Sequence, residues 1–341
     1  MIRSGIAGAI AGLALAGFAL AGLGTSAGAQ APTVKFMLDF AMQGQQSPFV
    51  LAAEGGHFAR AGVNVQVDRG YGSADAIVKV ASGAYDMAFA DIGALIQFNA
   101  SQASVKLVSV LQIYDVAPMA ILSLRQSNIA RPTDLAGKRM ASPPASASRT
   151  MFPVFARVNG LDPASVSWID VTPQLREMLL AQRQADATTA FITDVPGLER
   201  LGVCENELSI MRFADFGVSL YGNCVVTTPE FIGKHPDAVG KVVKAVAQSW
   251  KLAIADPDLA IAAIKKRDPL VDEKVERRRL DLVIKNAVLT EHVRREGLSG
   301  VEPARMQRTI DMVAQTFNIP AVDPASVYRS DFLPPRSDLK M

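Results

Sequence analysis

Residues 65–100 read VQVDRGYGSADAIVKVASGAYDMAFADIGALIQFNA. Apolar and polar residues alternate at its start, which predicts a short strand, and the glycines at positions 70 and 72 then mark a sharp turn. Apolar residues recur at helical spacing from 74 to 81, and a second strand, residues 86–90, leads straight into another helix. Two such βα units in tandem predict a parallel sheet, with the loop 70–73 and Asp91 together at its ligand-binding edge.

The flanking segments follow a specific order along nearly the whole chain. Residues 34–49 read VKFMLDFAMQGQQSPF, followed by GHF at 56–58 and AGVNV at 61–65. The loop GYGSAD at 70–75, the segment GAYDMAFAD at 83–91 and the segment NIARPTDLAGKRMA at 128–141 complete the pattern. In this order the motifs resemble the periplasmic substrate-binding proteins of ABC importers. The similar branch includes binders of sulfonate, nitrate and taurine and binders of thiamine-pyrimidine precursors.

The resemblance implies an α/β fold, that of a type II periplasmic binding protein. We therefore expect two α/β lobes with mixed, mostly parallel sheets, joined by a hinge of two or three crossing segments. Lobe 1 would combine residues 33–116 and 221–319, lobe 2 would comprise residues 118–220, and residues 320–341 would form a loosely packed tail of irregular coil. The implied partners are a small-molecule solute and an ABC permease in the inner membrane. A monomer without a cofactor is expected.

The N-terminus has the pattern of an export signal. One positive charge, Arg3, precedes an apolar run over residues 6–23 and the small residues Ala27-Gly28-Ala29. The alternative is a transmembrane anchor, because the run approaches spanning length. Small residues rather than a charged stop follow it, so we predict a signal peptide over residues 1–29, cleaved after Ala29 or alternatively Ala31, and a periplasmic mature protein.

The charge balance excludes several classes of partner. Without the leader the chain has 34 basic and 33 acidic residues, which argues against a nucleic acid or a membrane surface as partner. The triplet Arg277-Arg278-Arg279 has acidic neighbours and predicts a solvated helix face.

Cysteine and histidine usage makes a metal site improbable. Cys204 and Cys224 lie in a chain expected in an oxidising compartment, so they either form a disulfide or remain two separate thiols. Neither cysteine has other potential metal ligands at a suitable spacing, since the three histidines are scattered along the sequence.

Polar residues that follow the first strands predict one wall of the ligand site. Asp39 ends a strand, and the following loop offers Phe40 for stacking on a flat ligand and Gln43 for hydrogen bonds to its edge. Ser73 either only caps a helix or also donates its hydroxyl to the ligand. Asp91 is likewise either a helix cap or a binding carboxylate.

The opposite wall is predicted from lobe 2. The serine-rich turn 142–150 offers Ser146, and Arg149 adds a cation suited to a carboxylate, sulfonate or phosphate. The alternative for this turn is an ordinary helix cap with a solvated arginine. Thr193 follows another strand, and Tyr221 lies at the second candidate crossing; each is either a ligand contact or structural.

No catalytic motif is present: the sequence lacks G-x-S-x-G, H-E-x-x-H and a P-loop. The resemblance implies solute capture rather than catalysis, and the expected solute is a small planar heterocyclic or aromatic, anionic compound that resembles a thiamine-pyrimidine precursor. A binder of a small oxyanion such as sulfonate, taurine or nitrate is the first alternative. The second is a pyrimidine-precursor synthase, which a missing cysteine-rich motif and the exported location disfavour.

Overall fold

Ten strands form two separate sheets in a computed structural model, which describes residues 33–101 and 104–341. The strands are β1 Val34–Met37, β2 Val65–Asp68, β3 Met87–Asp91, β4 Val108–Gln112, β5 Met119–Leu124, β6 Arg139–Ser142, β7 Ser167–Asp170, β8 Ala187–Phe191, β9 Leu208–Arg212 and β10 Asn223–Thr227. The predicted signal peptide, residues 1–29, lies outside the described residues.

Both sheets have the same plan. The first has the order β2-β1-β3-β10-β4 and the second β7-β6-β8-β5-β9. In the first sheet β10 is antiparallel to both of its neighbours, while β1 pairs in parallel with β2 and β3. The second sheet repeats this arrangement with β5 as the antiparallel strand. The predicted α/β fold with two lobes of mixed, mostly parallel sheets is confirmed.

Helices cover both sheets and supply most of the remaining ordered chain. They are α1 Ser47–Glu54, α2 His57–Arg60, α3 Ser73–Ala81, α4 Ile92–Ser101, α5 Ala147–Thr150, α6 Phe152–Val158, α7 Arg176–Ala181, α8 Val195–Arg200, α9 Pro229–Lys234, α10 Pro236–Ala255, α11 Pro257–Arg267, α12 Glu273–Val283, α13 Glu291–Glu296, α14 Pro303–Phe317, α15 Pro324–Val327 and α16 Arg336–Leu339. Proline occupies the first turn of several, including α1, α10 and α14, where its missing N–H would have no partner in the helix.

The apolar strands are buried on both faces. In β3 the side chains of Met87 and Phe89 pack into one core cluster, and those of Ala88 and Ala90 pack into another on the opposite face. Strict alternation of side chains along a strand produces this division, and burial on both faces explains why β3 is almost entirely apolar. The second cluster also contains Ile121 of β5, so one core is continuous across the two sheets.

Two segments, residues 113–118 and 213–222, carry the chain between the sheets. They hydrogen bond to each other, because Ala117 N–H donates to Leu220 O at 3.0 Å and Gly222 N–H donates to Tyr114 O at 2.9 Å. Each crossing ends where an antiparallel strand, β5 or β10, enters the next sheet. We propose the lobe limits predicted from the sequence as the boundaries on either side of these two crossings.

The C-terminal segment 320–341 is not the loosely packed coil predicted from its prolines. It contains α15 and α16, and the side chains of Val327 and Leu339 are buried. Arg329 N–H donates to the Ser109 carbonyl oxygen of β4 at 2.9 Å, and Leu298 N–H donates to Leu339 O at 2.8 Å. The prediction was wrong because local composition does not reveal such long-range contacts.

The two cysteines do not form a disulfide. Cys204 is exposed in the second lobe, whereas Cys224 is buried in β10 of the first sheet. Of the two alternatives, the structure therefore contains two separate thiols. Across residues 33–101 and 104–341, no helix combines the length and apolar character needed to cross a membrane.

Candidate ligand-binding site

A cavity lies between the lobes, bounded by loops that follow the carboxyl ends of parallel strands. Lobe 1 contributes the lining residues Asp39, Phe40, Gln45, Gln46, Gly72 and Ser73, and lobe 2 contributes Ser146, Ala147, Ser148, Arg176, Phe191 and Asp194. The space between the lining residues, including the part open to solvent, is about 330 Å³. The cavity lies at the edge where open α/β sheets bind ligands.

Asp39 lies just after β1 and is held by two amides. Gln46 Nε2 donates to its Oδ1 at 3.0 Å, and Asn223 Nδ2 donates to its Oδ2 at 2.8 Å. Burial raises the pKa of Asp39 to about 6, although these two hydrogen bonds oppose the rise. Both carboxylate oxygens retain a lone pair for a further donor. Asp39 is therefore a fixed acceptor in the wall of the cavity.

Asp91 acts as a helix cap and does not line the cavity. Its Oδ1 accepts from Ala94 N–H at 3.0 Å at the start of α4, and its Oδ2 has no partner among the described residues. Burial raises the pKa of Asp91 to about 7, and the charge of Asp39 adds to the rise. The structure thus shows the capping role that the sequence left open.

Gly72 brings the two lobes into direct contact. Its φ of 147° favours glycine, and a Cβ there would lie 2.2 Å from the carbonyl oxygen of Ala145 in lobe 2. Next to it Ala74 N–H donates to the same carbonyl oxygen at 3.2 Å. Ser73 begins α3 but makes no capping bond, because its buried Oγ has no partner among the described residues. Its hydroxyl is available to a ligand.

The serine-rich turn forms part of the second wall, as predicted. Ser146 Oγ donates to Pro143 O at 2.9 Å, which fixes the turn before α5. Ser142 Oγ lies 2.5 Å from Thr189 Oγ1 and 3.3 Å from Ser146 Oγ, so the hydroxyls form a short chain. These contacts fix the turn, whose residues Ser146, Ala147 and Ser148 line the cavity.

The cation of the cavity is Arg176, which the sequence patterns did not single out. It opens α7, its Nη2 lies 2.5 Å from Asp194 Oδ2, and its Cζ lies 5.4 Å from the centre of the Phe40 ring. Its Nε has no partner among the described residues. A charged pair and an aromatic ring thus adjoin each other across the two lobes.

Arg149 is not among the residues that line the cavity. Its guanidinium carbon lies 3.3 Å from the centre of the Trp168 ring, and its Nη1 lies 3.5 Å from Asp170 Oδ1 on the edge strand β7. The expectation that Arg149 binds an anion in this cavity is not supported. Its guanidinium stacks on Trp168 and pairs with Asp170, both in lobe 2.

Three further predicted residues lie outside the lining. Tyr221 is buried at the second crossing, where its hydroxyl accepts from Glu302 N–H at 3.0 Å and Arg305 covers its ring. The buried carbonyl of Thr193 accepts from Arg279 Nη1 at 3.1 Å. Gln43 orients a lining residue, because its Oε1 accepts from Gln45 Nε2 at 3.0 Å. The structure therefore gives these three residues structural contacts next to the site.

The lining residues that the sequence patterns missed follow a simple rule. They are Arg176, Phe191 and Asp194, whereas Gln45, Gln46 and Ser148 lie in the loop after β1 and in the serine-rich turn that were predicted as the two walls. Each follows the carboxyl end of a strand that is parallel to its neighbour, or ends such a strand. Applying the edge rule to β7, as it was applied to β2 and β3, would have identified Arg176. After β8 the rule selected Thr193, and the lining residue is its neighbour Asp194. Within the described residues, no group of His, Cys, Asp and Glu side chains is arranged to hold a metal ion.

Two lobes of this topology, joined by two crossings around a shared cavity, define a protein with the periplasmic-binding-protein fold. Solved structures share this fold. The alkanesulfonate-binding protein of Xanthomonas axonopodis pv. citri, bound to MOPS, has a TM-score of 0.68 at 17% identity over 88% of this chain and 99% of that one. The periplasmic nitrate-binding protein of Synechocystis PCC 6803 has a TM-score of 0.64 at 12% identity over 89% and 87%.

The family follows from the sequence comparisons. The model of the family described as NMT1/THI5 like matches residues 43–260, and the chain belongs to this family. The formylaminopyrimidine-binding protein of Halalkalibacterium halodurans is 23% identical over 259 residues, which are 74% of this chain and 77% of that protein. The resemblance to the substrate-binding proteins of ABC importers is confirmed, and all three of these relatives are named as binding proteins.

Proposed function

We propose that this protein is the periplasmic solute-binding component of an ABC importer and that its solute is a small, planar nitrogen heterocycle of the aminopyrimidine type. It would act as a monomer and deliver the solute to a permease in the inner membrane. The observation that carries the proposal is that loops of both lobes line one cavity. A solute that contacts both walls favours the state in which they are close together.

The aromatic and polar lining supports a flat ring as solute. Phe40 from lobe 1 and Phe191 from lobe 2 provide two aromatic walls. Three polar atoms of lining residues lack partners among the described residues, namely Gln45 Oε1, Ser73 Oγ and Arg176 Nε. They offer an acceptor, a hydroxyl and a donor. An aminopyrimidine, which has N–H donors and ring-nitrogen acceptors on one edge, satisfies both kinds of group.

The charge of the lining disfavours an anion. The carboxylates of Asp39 and Asp194 outnumber the one lining cation, Arg176, whose guanidinium is already paired with Asp194. Arg149, from which an anionic solute was expected, is outside the cavity. An oxyanion such as sulfonate or nitrate has no N–H group to donate to Asp39 or to Gln45 Oε1. We therefore propose a neutral or cationic heterocycle in place of the anionic solute.

Calorimetric titration with formylaminopyrimidine, taurine and nitrate tests the proposal. We expect binding of the heterocycle alone, and Phe40→Ala should raise its Kd at least tenfold, which corresponds to about 1.4 kcal/mol. Ser73→Ala should also weaken binding but leave stability to urea unchanged, because no protein group loses a partner.

Arg149→Ala is the matched control because it removes a cation outside the cavity. Its Kd should match that of the wild type. Binding of taurine or nitrate that is lost in Arg149→Ala and retained in Phe40→Ala would instead select the oxyanion alternative.

A further inference from the structure

A buried cluster of charged side chains joins the two lobes beside the cavity. Its members are Arg176, Glu177 and Asp194 from lobe 2 and Glu276 and Arg279 from α12 of lobe 1. Arg279 is at its centre, with Nη1 3.1 Å from Asp194 Oδ1 and Nη2 3.2 Å from Glu177 Oε1. Its Nη1 also donates to the carbonyl oxygen of Thr193. Most of the contacts of this one guanidinium are thus with the opposite lobe.

The three consecutive arginines of α12 have different partners. Arg277 pairs with Asp258 and Asp281, both in lobe 1. Arg278 crosses to Glu199 and Glu205 of lobe 2 but is partly exposed. The side chain of Arg279 is only 4% exposed, so the expectation of a solvated helix face is wrong for this residue. The helix offers a buried interlobe contact and an internal control two positions away.

Burial makes the pairing of Arg279 obligatory while the lobes are together. A buried guanidinium without partners is strongly unfavourable, and removing one member of a buried pair leaves an uncompensated charge. Burial alone lowers the pKa of a guanidinium, but the three carboxylates around it raise the pKa of Arg279. If the lobes separate, water replaces these contacts. The ion pairs that Arg279 makes with lobe 2 therefore exist only while the lobes touch, and removing its charge leaves the surrounding carboxylates without this partner in the buried contact.

The cluster shares two residues with the cavity. Asp194 contacts Arg176 through Oδ2 and Arg279 through Oδ1, and both Asp194 and Arg176 line the cavity. Arg279 itself does not line it. Any solute that touches Arg176 or Asp194 therefore rests on side chains whose positions depend on Arg279.

We infer that Arg279 is a positioning residue that couples lobe closure to the solute site by holding Asp194, and through it Arg176, in place across the lobe boundary. The inference rests on the proposed function, since it assigns Arg279 to the regulation of the same cavity. The same guanidinium also stabilises the contact between the lobes when no solute is added. Arg278 supplements it at the rim, and Arg277 takes no part.

Small-angle X-ray scattering of the purified protein, without any solute, tests the contact directly. We expect Arg279→Met to have a larger radius of gyration than the wild type, whereas Arg277→Met, which removes the same charge from the same helix, should not. Arg279→Lys should restore part of the compaction. Equal radii for Arg279→Met and the wild type, or equal expansion by Arg277→Met, would overturn the inference.

A second variant decides the case if Arg279→Met does not fold by circular dichroism. Glu177→Gln removes one of the carboxylates of lobe 2 that pair with Arg279, while the pair between Asp194 and Arg279 remains. This variant should therefore increase the radius of gyration, but by less than Arg279→Met does. An unchanged radius in this variant overturns the inference.

The association and dissociation rates of formylaminopyrimidine distinguish coupling to the solute site from a purely structural role of Arg279. Arg279→Met should accelerate dissociation at least tenfold with an association rate within about twofold of the wild type, because closure acts after encounter. Equal dissociation rates would contradict the coupling. If formylaminopyrimidine does not bind at all, the proposed function is in error, while scattering still decides the contact between the lobes.

Discussion

Two buried carboxylates, Asp39 and Asp91, lie at the carboxyl ends of β1 and β3, and the charge of Asp39 contributes to the raised pKa of Asp91. Burial raises their pKa values from 3.8 to about 6 and about 7, respectively. A carboxyl whose folded pKa is raised binds a proton more tightly in the folded state than in the unfolded one. Its unfavourable contribution is therefore complete above the folded pKa and is relieved as the pH falls towards 3.8.

At pH 8 the variant Asp91→Asn should be more stable relative to the wild type than it is at pH 5. The asparagine Oδ1 can still accept from Ala94 N–H, while the cost of burying a charge disappears. The raised pKa implies that the Asp91 contribution changes by on the order of 2 kcal/mol across this window. Urea unfolding at both pH values measures it. Parallel pH profiles for the two proteins would show that Asp91 does not titrate there.

At the scale of elements, the turn between β2 and α3 sets how closely the lobes approach. The carbonyl oxygen of Ala145 leaves no room for a Cβ on Gly72, and the positive φ of Gly72 is in addition unfavourable for any residue that has a Cβ. Gly83, at the other end of α3, also has a positive φ, but a Cβ there would meet open space. Comparing substitutions at these two glycines therefore separates the effect of backbone strain from the effect of contact between the lobes.

Gly72→Ala should weaken solute binding at least tenfold, because its methyl group would push Ala145 away and part the walls of the cavity. Gly83→Ala should lose about 1–2 kcal/mol of unfolding free energy to backbone strain, but it should bind solute with an unchanged Kd. Calorimetric titration and urea unfolding of both variants provide the comparison. Similar Kd values for the two would mean that the lobes can bind solute without this close contact.

The packing of the C-terminal helix α16 against the core leads to a separate prediction about stability. Leu339 is 5% exposed and packs against the core around α10, and its carbonyl oxygen accepts from Leu298 N–H. Leu339→Ala should cost about 2–3 kcal/mol of unfolding free energy because it leaves a cavity. The exposed Leu270 is the control, since Leu270→Ala removes the same atoms from a side chain that is 93% exposed. Equal loss in urea unfolding of the two variants would contradict the packed position of α16.

At the scale of the whole molecule, one apolar cluster includes residues of both sheets, and the two crossings hydrogen bond to each other. Residues 33–101 and 104–341 belong to one compact unit. The lobes are therefore expected to unfold together, since unfolding one lobe would expose the part of the shared cluster that belongs to the other.

Calorimetry should show a single unfolding transition. Solute at one hundred times its Kd should stabilise the folded state by about 2.7 kcal/mol and shift this transition as a whole. Two resolved transitions, of which only one responded to solute, would indicate that the lobes are energetically independent.

The two-lobed class was expected from the order of motifs that the sequence shares with the substrate-binding proteins of ABC importers. The sequence by itself also determined the alternation of strands and helices and the loops at the sheet edge. These follow from local periodicity and turn residues, which depend on near neighbours in the chain. Asp39, Phe40, Ser73 and Ser146 were found in this way because they follow predicted strands. Only the tertiary structure decided that Arg176 rather than Arg149 faces the cavity, and that Arg279 is buried between the lobes. An arginine is long and flexible, so the position of its charge depends on which distant carboxylates and rings packing brings within reach, and no local pattern contains that information.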